Sequence, residues 1–302
     1  MSQSGVKHVL VTGGQGQVGL ELAALDWPAD IAVHFPKRAD LDMTSSDSIR
    51  AFMSGRDWHG IINCAAWTAV DDAETQVVDA WAVNAMGPAC LAEASHALGI
   101  PLVHVSTDYV FSGDLNRSYS ESDPTGPRSV YGASKLGGEW AILTANPRSV
   151  ILRTAWVQSR HRNNFVKTML RLAKTRDSLG VVDDQRGNPT AAGDIADALQ
   201  CIMLRMLAGE SAPTGIHHFV NAGEATWADL AEFVFARARE TGSPGADVLR
   251  ITSDQYPTKA SRPANSRLST SRIAENFGIR PRDWRSAIGE VVDQIYSEEP
   301  LA

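Results

Sequence analysis

The stretch VKHVLVTGGQGQVGLEL, residues 6–22, narrows the possible folds more than any other part of the chain. An apolar run without polar alternation implies a strand buried on both faces. It ends directly in glycines, and helical spacing begins at once behind them. Gly13, Gly16 and Gly19 fit G-x-x-G-x-x-G, while Gly14, Gly16 and Gly19 fit G-x-G-x-x-G. One glycine of such a loop makes the tight turn, a second lets backbone approach a pyrophosphate, and a third lets the helix pack on the strand. The helix N-terminus, here Gln17 and Val18, turns free N–H groups toward the anion. A glycine turn alone can be only a turn. At the first strand–helix junction of a repeating pattern, it reads as a dinucleotide cradle.

That pattern runs through the first half. VKHVLVTG, IAVHF, GIINCAAW, PLVHVSTDYVF and SVILRTAWV read as strands. GLELAALDW, SSDSIRAFMSG and AETQVVDAWAVNAMGPACLAEASHALG read as the helices between them. Alternation of this kind predicts an α/β fold, a Rossmann-type doubly wound parallel sheet with right-handed crossovers. Beyond residue 155 the rhythm loosens. Helices are expected in NNFVKTMLRLAKT, AGDIADALQCIMLRMLAG, TWADLAEFVFARARETG and DWRSAIGEVVDQIYSEE, with Pro- and Ser-rich loops between them. Thr226 followed by Asp229 is close to a capping box. Residues 1–155 are read as the dinucleotide-binding domain and 156–302 as a smaller, loop-rich substrate lobe. Segments near 180–200 and 216–224 are candidates to return to the first sheet.

Bulk properties exclude several classes. The net charge is −7 and no run of Lys and Arg offers a grip on phosphate backbones, so nucleic acid is not an expected partner. No apolar run approaches the roughly 18 residues of a membrane span. The N-terminus lacks the features of a signal peptide. Cys64, Cys90 and Cys201 are scattered without metal spacing, which suits reduced thiols in a cytoplasmic protein.

The second strand ends in HFPKRADLDM. Lys37 and Arg38 stand where an acid would favour NAD, about 20 residues past the glycines. Positive charge there suits a 2′-phosphate, so NADP(H) is preferred and NAD(H) remains possible; both side chains could also simply be solvated. Asp42 is placed near the adenine ring, and Asp40 is given no role. In open α/β sheets ligands bind beyond the carboxyl ends of strands, where Ser106, Thr107 and Asp108 would lie. Tyr131 and Lys135 follow at i and i+4, on one face of a helix. Taken alone, Y-x-x-x-K is an ordinary surface pair. Behind a glycine loop and a hydroxyl-bearing strand end, it reads as acid–base machinery. A neighbouring ammonium and an oxidised nicotinamide are expected to lower the phenol by about three pKa units, or about 4 kcal/mol.

With those residues in place, the chain resembles the extended short-chain dehydrogenase/reductases. INCAAWTAVDDAE, VNAMGPACLAEA, HVSTDYVFSG, YGASKLGGE, LRTAWV, VVDDQRGNPT and SRPANSRLST narrow the likeness to the dTDP-4-dehydrorhamnose reductase family, from about residue 9 to 270. The resemblance implies transfer of a hydride from NAD(P)H to the C4 ketone of dTDP-6-deoxy-L-lyxo-4-hexulose, giving dTDP-L-rhamnose. It implies that Tyr131 donates the proton, Lys135 tunes Tyr131 and holds cofactor ribose, and Thr107 hydrogen-bonds the substrate oxygen. Ala65 and Ala66 would pass close to the cofactor. Asp108 and Trp156 would contact substrate, although core packing also suits Trp156. Asn84 is counted with the substrate set and as a brace of the active-site helix. Arg262 and Asn265 are candidates for the substrate's diphosphate or sugar, with a surface role open for Arg262.

Some members of the family dimerise around a magnesium held by a glutamate behind the glycine loop and two later acids. Glu21 matches the first, but Gly193 and Gln294 stand at the others, with Asp194 and Asp293 adjacent. No metal is expected, and the chain is expected as a monomer or weak homodimer. Two other readings share the fold. A sugar-nucleotide 4,6-dehydratase or an epimerase would retain its nicotinamide; the dehydratase needs a second carboxylate after Asp108, where this chain has Tyr109. A non-catalytic subunit resembling the regulatory subunits of methionine adenosyltransferase would bind cofactor without turnover.

Overall fold

The computed structural model describes residues 5–209 and 211–298. Six parallel strands form the central sheet: β1 Lys7–Thr12, β2 Ile31–His34, β3 Gly60–Asn63, β4 Leu102–Thr107, β5 Ser149–Thr154 and β6 Gly215–His218. Their order across the sheet is β6-β5-β4-β3-β1-β2. The unbroken apolar runs are explained by burial on both faces. Val9, Val11, Ile62, Val103, Val150 and Leu152 pack on one side, with helices α1 (Gln17–Ala24) and α6 (Ala192–Ala208). Leu10, Ile61, Leu102 and Ile151 alternate to the other side, with α2 (Ser46–Ser54) and α3 (Gly87–Ala97). Successive side chains of a strand point to opposite faces, so two apolar layers need a strand without polar alternation.

The helix expected as one piece before β4 is divided. Val70–Ala73 and Val77–Trp81 are followed by a π-helical turn, Ala82–Met86, and only then by α3. The turn holds Asn84, whose side chain accepts from the Trp67 N–H (2.8 Å) and donates to Ser134 Oγ (3.0 Å). Single π turns in helices recur at functional sites. Here the turn aims an amide between a cleft loop and α4 (Val130–Ala145), the helix carrying Tyr131 and Lys135.

A second core forms from α5 (Phe165–Ala173), α7 (Trp227–Glu240) and α8 (Trp284–Glu298), with Trp284, Phe235 and Val292 at its centre. A full capping box of Thr226 and Asp229 starts α7. The segments after residue 155 divide their allegiance. Gly215–His218 is the sixth strand of the main sheet, and α6 packs on that sheet. Ser178–Val182 does not join it; its partner is Asp247–Ile251, in parallel, within the second lobe.

Candidate active site

A cleft of about 610 Å³ opens at the carboxyl ends of β1, β3, β4 and β5, facing the second lobe. On one wall lie Gly13, Gly16, Gln17, Val18 and Gly19. Gly13 has φ +69°, and a Cβ there would meet Ala65 N at 2.6 Å. A Cβ on Gly19 would strike the Gly13 carbonyl. The loop therefore lies against the chain leaving β3, with Ala65 and Ala66 on the cleft wall. Gln17 Oε1 accepts from Asn164 Nδ2 (3.0 Å) and Ser159 Oγ (3.2 Å), which ties α1 to the segment behind β5.

Arg38 and Asp42 also line the cleft, beyond the glycine loop, but Lys37 does not. Lys37 turns outward, and Asp40, given no role above, accepts from the Lys37 backbone N–H (3.2 Å) and closes that turn. Asp42 accepts from Thr44 N–H (2.9 Å) and Thr44 Oγ1 (2.8 Å), and these bonds hold its carboxyl below the usual range.

The other end of the cleft carries Thr107, Asp108, Tyr131, Lys135 and Trp156. Thr107 Oγ1 donates to Asp108 Oδ1 (3.1 Å) and accepts from Tyr109 N–H (3.2 Å). Asp108 is 3% exposed, and burial pushes its carboxyl up to about 6. Trp156 sits at φ +48°, a rare conformation for a bulky residue, and stacks on Trp227 with ring centroids 3.7 Å apart. Strained residues of this kind cluster at ligand-binding sites.

The lysine and the tyrosine are not coupled as expected. Lys135 Nζ donates to Val105 O (2.7 Å) and lies 3.0 Å from His104 Nε2. Burial lowers the amine to about 8. The Tyr131 phenol is raised, mainly by burial and further by Asp108 and Tyr109, against a hydrogen bond with Thr107 that lowers it. Lys135 is not among the groups that move it. The phenol is therefore held in its protonated form, the form a proton donor requires.

Three substrate candidates lie away from the cleft wall. Asn84 is fully buried and spends its amide on Trp67 and Ser134, so it braces and does not reach the pocket. Asn265 donates to Leu115 O (2.7 Å) and Arg117 O (2.8 Å) and pins two loops together. Arg262 pairs with Asp71 (2.7 Å) and donates to Tyr109 Oη (3.0 Å), so its charge is already matched. Tyr109 and Arg162 are among the cleft residues that the sequence reading did not assign. Tyr109 packs edge-on against Tyr131 at 5.4 Å. Arg162, at φ +56°, donates to the Gln15 carbonyl (2.7 Å). The cation-bearing segment SRHRNN after β5 was the available signal for Arg162.

A dinucleotide fits these residues. The cradle admits no Cβ at Gly13 or Gly19, and buried Ser106 Oγ and Thr154 Oγ1 line the cleft without a hydrogen-bond partner among the described residues. A family-type magnesium does not fit. Glu21 Oε1 already faces His161 Nε2 at 3.5 Å and Arg160 Nε at 3.9 Å. Asp194 is held by Arg282 and Asp293 by Arg237.

A family model described as RmlD substrate binding domain matches residues 7–297. The dTDP-4-dehydrorhamnose reductase of Sinorhizobium fredii is 45% identical over 286 residues, 94% of this chain and 96% of the relative. The crystal structure of a dTDP-4-dehydrorhamnose reductase from Clostridium acetobutylicum superposes with a TM-score of 0.89 at 35% identity, covering 95% of this chain and 99% of that one. The Bacillus anthracis enzyme of that name, in complex with NADP, gives 0.88 at 31%, covering 97% and 99%. Its glycine cradle, its Thr–Tyr–Lys cleft and these matches over nearly the full length make the chain a member of the dTDP-4-dehydrorhamnose reductase family.

Proposed function

We propose that the chain reduces the C4 ketone of dTDP-6-deoxy-L-lyxo-4-hexulose to dTDP-L-rhamnose, with NADPH as the preferred donor. Bound NADPH supplies the hydride. The glycine loop and the N–H groups of Gln17 and Val18 hold the pyrophosphate, and Arg38 faces the 2′-phosphate. Ala65 and Ala66 leave room for the dinucleotide, and Asp42 borders the adenine. Lys135 holds ribose hydroxyls. Thr107 Oγ1 and Tyr131 Oη hydrogen-bond the ketone oxygen and stabilise the negative charge that develops on it, commonly the largest catalytic contribution. Tyr131 then gives its proton to that oxygen. Asp108 and Trp156 hold the sugar.

The observation that carries this reading is the convergence of Thr107, Asp108, Tyr131 and Lys135 at one end of a glycine-lined cleft. Tyr109 stands where a dehydratase needs its second carboxylate. Release of oxidised cofactor each cycle separates a reductase from a dehydratase, an epimerase or an inert binding subunit. Purified protein given NADPH and the dTDP-keto-sugar should oxidise one NADPH per sugar and accumulate dTDP-L-rhamnose. Bound cofactor with no net oxidation would refute the reading. The chain is further inferred to act as a monomer or weak homodimer without metal, a reading supported by the arginine and histidine beside Glu21. A cytoplasmic location is inferred from its free thiols at Cys64, Cys90 and Cys201, which suit a reducing compartment.

A further inference from the structure

Beneath the cleft, a line of hydrogen bonds crosses three strands and ends on Lys135. Thr12 Oγ1 of β1 donates to Asn63 Oδ1 of β3 (2.6 Å), and the Ala65 backbone N–H donates to the same oxygen (3.1 Å). Asn63 Nδ2 lies 2.9 Å from His104 Nδ1 of β4. His104 Nε2 lies 3.0 Å from Lys135 Nζ of α4, and Lys135 donates to Val105 O. Asn63 and His104 are fully buried and Lys135 is 1% exposed, so water does not substitute for any of these partners.

The polarity of the line is fixed from one end. A backbone N–H can only donate, so the Asn63 atom facing Ala65 is the oxygen. The amide nitrogen therefore faces His104, and an amide N–H also only donates. His104 Nδ1 must then accept, and a neutral imidazole carries its single proton on Nε2. Burial, reinforced by Lys135, keeps His104 neutral by lowering its pKa well below 6.5. Its Nε2–H thus points at Lys135 Nζ. An ammonium has three donors and no acceptor, so it repels that N–H; a neutral amine has a lone pair that accepts it.

We propose that Asn63 and His104 are positioning residues for Lys135, fixing the His104 Nε2–H tautomer and so making Lys135 give up its proton at a lower pH than an ordinary lysine in the cofactor-free protein. Other groups around the amine leave this intact. The Cys64 thiol is pushed up to about 12 by burial and is neutral. Tyr131 is held protonated. Glu139, one turn along α4, favours the charged amine but is itself paired with Arg153 of β5 at 2.6 Å. The tautomer stands on hydrogen-bond geometry alone. Only its consequence rests on the role given to Lys135 above: the cation that holds ribose is lost at a lower pH than an ordinary lysine would lose it.

The test uses full-length, cofactor-free protein labelled with 15N-histidine and 13Cε-lysine. Long-range 1H–15N spectra should show His104, assigned with His104→Gln, as the Nε2–H tautomer across neutral pH, and Lys135 should titrate below the remaining lysines. Asn63→Asp should reverse the line. Its carboxylate accepts from Ala65 N–H and from His104 Nδ1–H, leaving Nε2 to accept from an ammonium, and Lys135 should move up by about one unit or more. An Nδ1–H tautomer in the parent protein, or Lys135 titrating with the other lysines, would overturn the proposal. If Asn63→Asp does not fold, the parent spectra alone decide. No cofactor or substrate is present, so a failed reductase assay is a separate result.

Discussion

Asp108 shows how one buried group couples stability to function. Its carboxyl is raised from 3.8 to about 6, chiefly by burial. The folded protein therefore holds this proton over a range where the unfolded chain has lost it. The contribution is present below pH 4 and is lost as pH rises to about 6, for a total of about 3 kcal/mol. Asp108→Asn removes the penalty. The variant's urea stability, minus that of the parent, should rise between about pH 4 and 6 and then level off, while KM for the keto-sugar increases. A difference that stays flat with pH would contradict the burial assignment. The residues that meet at one end of the cleft were legible from their types and spacing: hydroxyl, phenol and amine at Thr107, Tyr131 and Lys135. What the spacing did not show is direction. The amine meets His104 and Val105 of β4, strand partners that the helix spacing does not show. Arg262 and Asn265 stand off the cleft wall for a related reason: a polar residue in a loop reads the same whether it meets ligand or backbone, whereas Asn84 braces α4 through Ser134 as expected.

Among the elements, the glycine loop and α4 carry the most consequence. Gly13→Ala must place a side chain at positive φ, costing about 1–2 kcal/mol, and must push the loop off Ala65 into the space the pyrophosphate needs. NADPH affinity should fall at least about tenfold, with the far-UV spectrum unchanged; unaltered affinity would remove the loop from the cofactor site. α4 is anchored by Glu139, which is completely buried and meets Arg153 in a bidentate pair. Glu139→Ala leaves Arg153 buried and unpaired, at about 3–5 kcal/mol in urea unfolding. The strands and most helices could be read from periodicity because burial on two faces writes itself into composition. The break at Ala82–Met86 could not. A π turn of five residues is too short to change the periodicity of the whole apolar segment, and Asn84 within it bridges Trp67 and Ser134.

At the scale of the molecule, the chain passes between the main sheet and the second lobe more than once. Gly215–His218 completes the first sheet after Ser178–Val182 has paired in the second lobe. Both segments were candidates to return to the first sheet, since local pattern does not reveal which strand a later segment pairs with; of the two strands only Gly215–His218 joins it. Glu21, Asp194 and Asp293 are each engaged by basic side chains, so adding magnesium or EDTA should leave the sedimentation coefficient unchanged; a magnesium-dependent dimer would contradict this. The central claim is narrower: a half-buried, protonated phenol beside Thr107 gives its proton at the mouth of a cleft that holds a nicotinamide. The most direct measurement is the turnover of Tyr131→Phe with NADPH and dTDP-keto-sugar, made alongside NADPH binding on the same sample. The account predicts a loss in kcat of about 10²–10⁴ with NADPH affinity retained; turnover near that of the parent would contradict it.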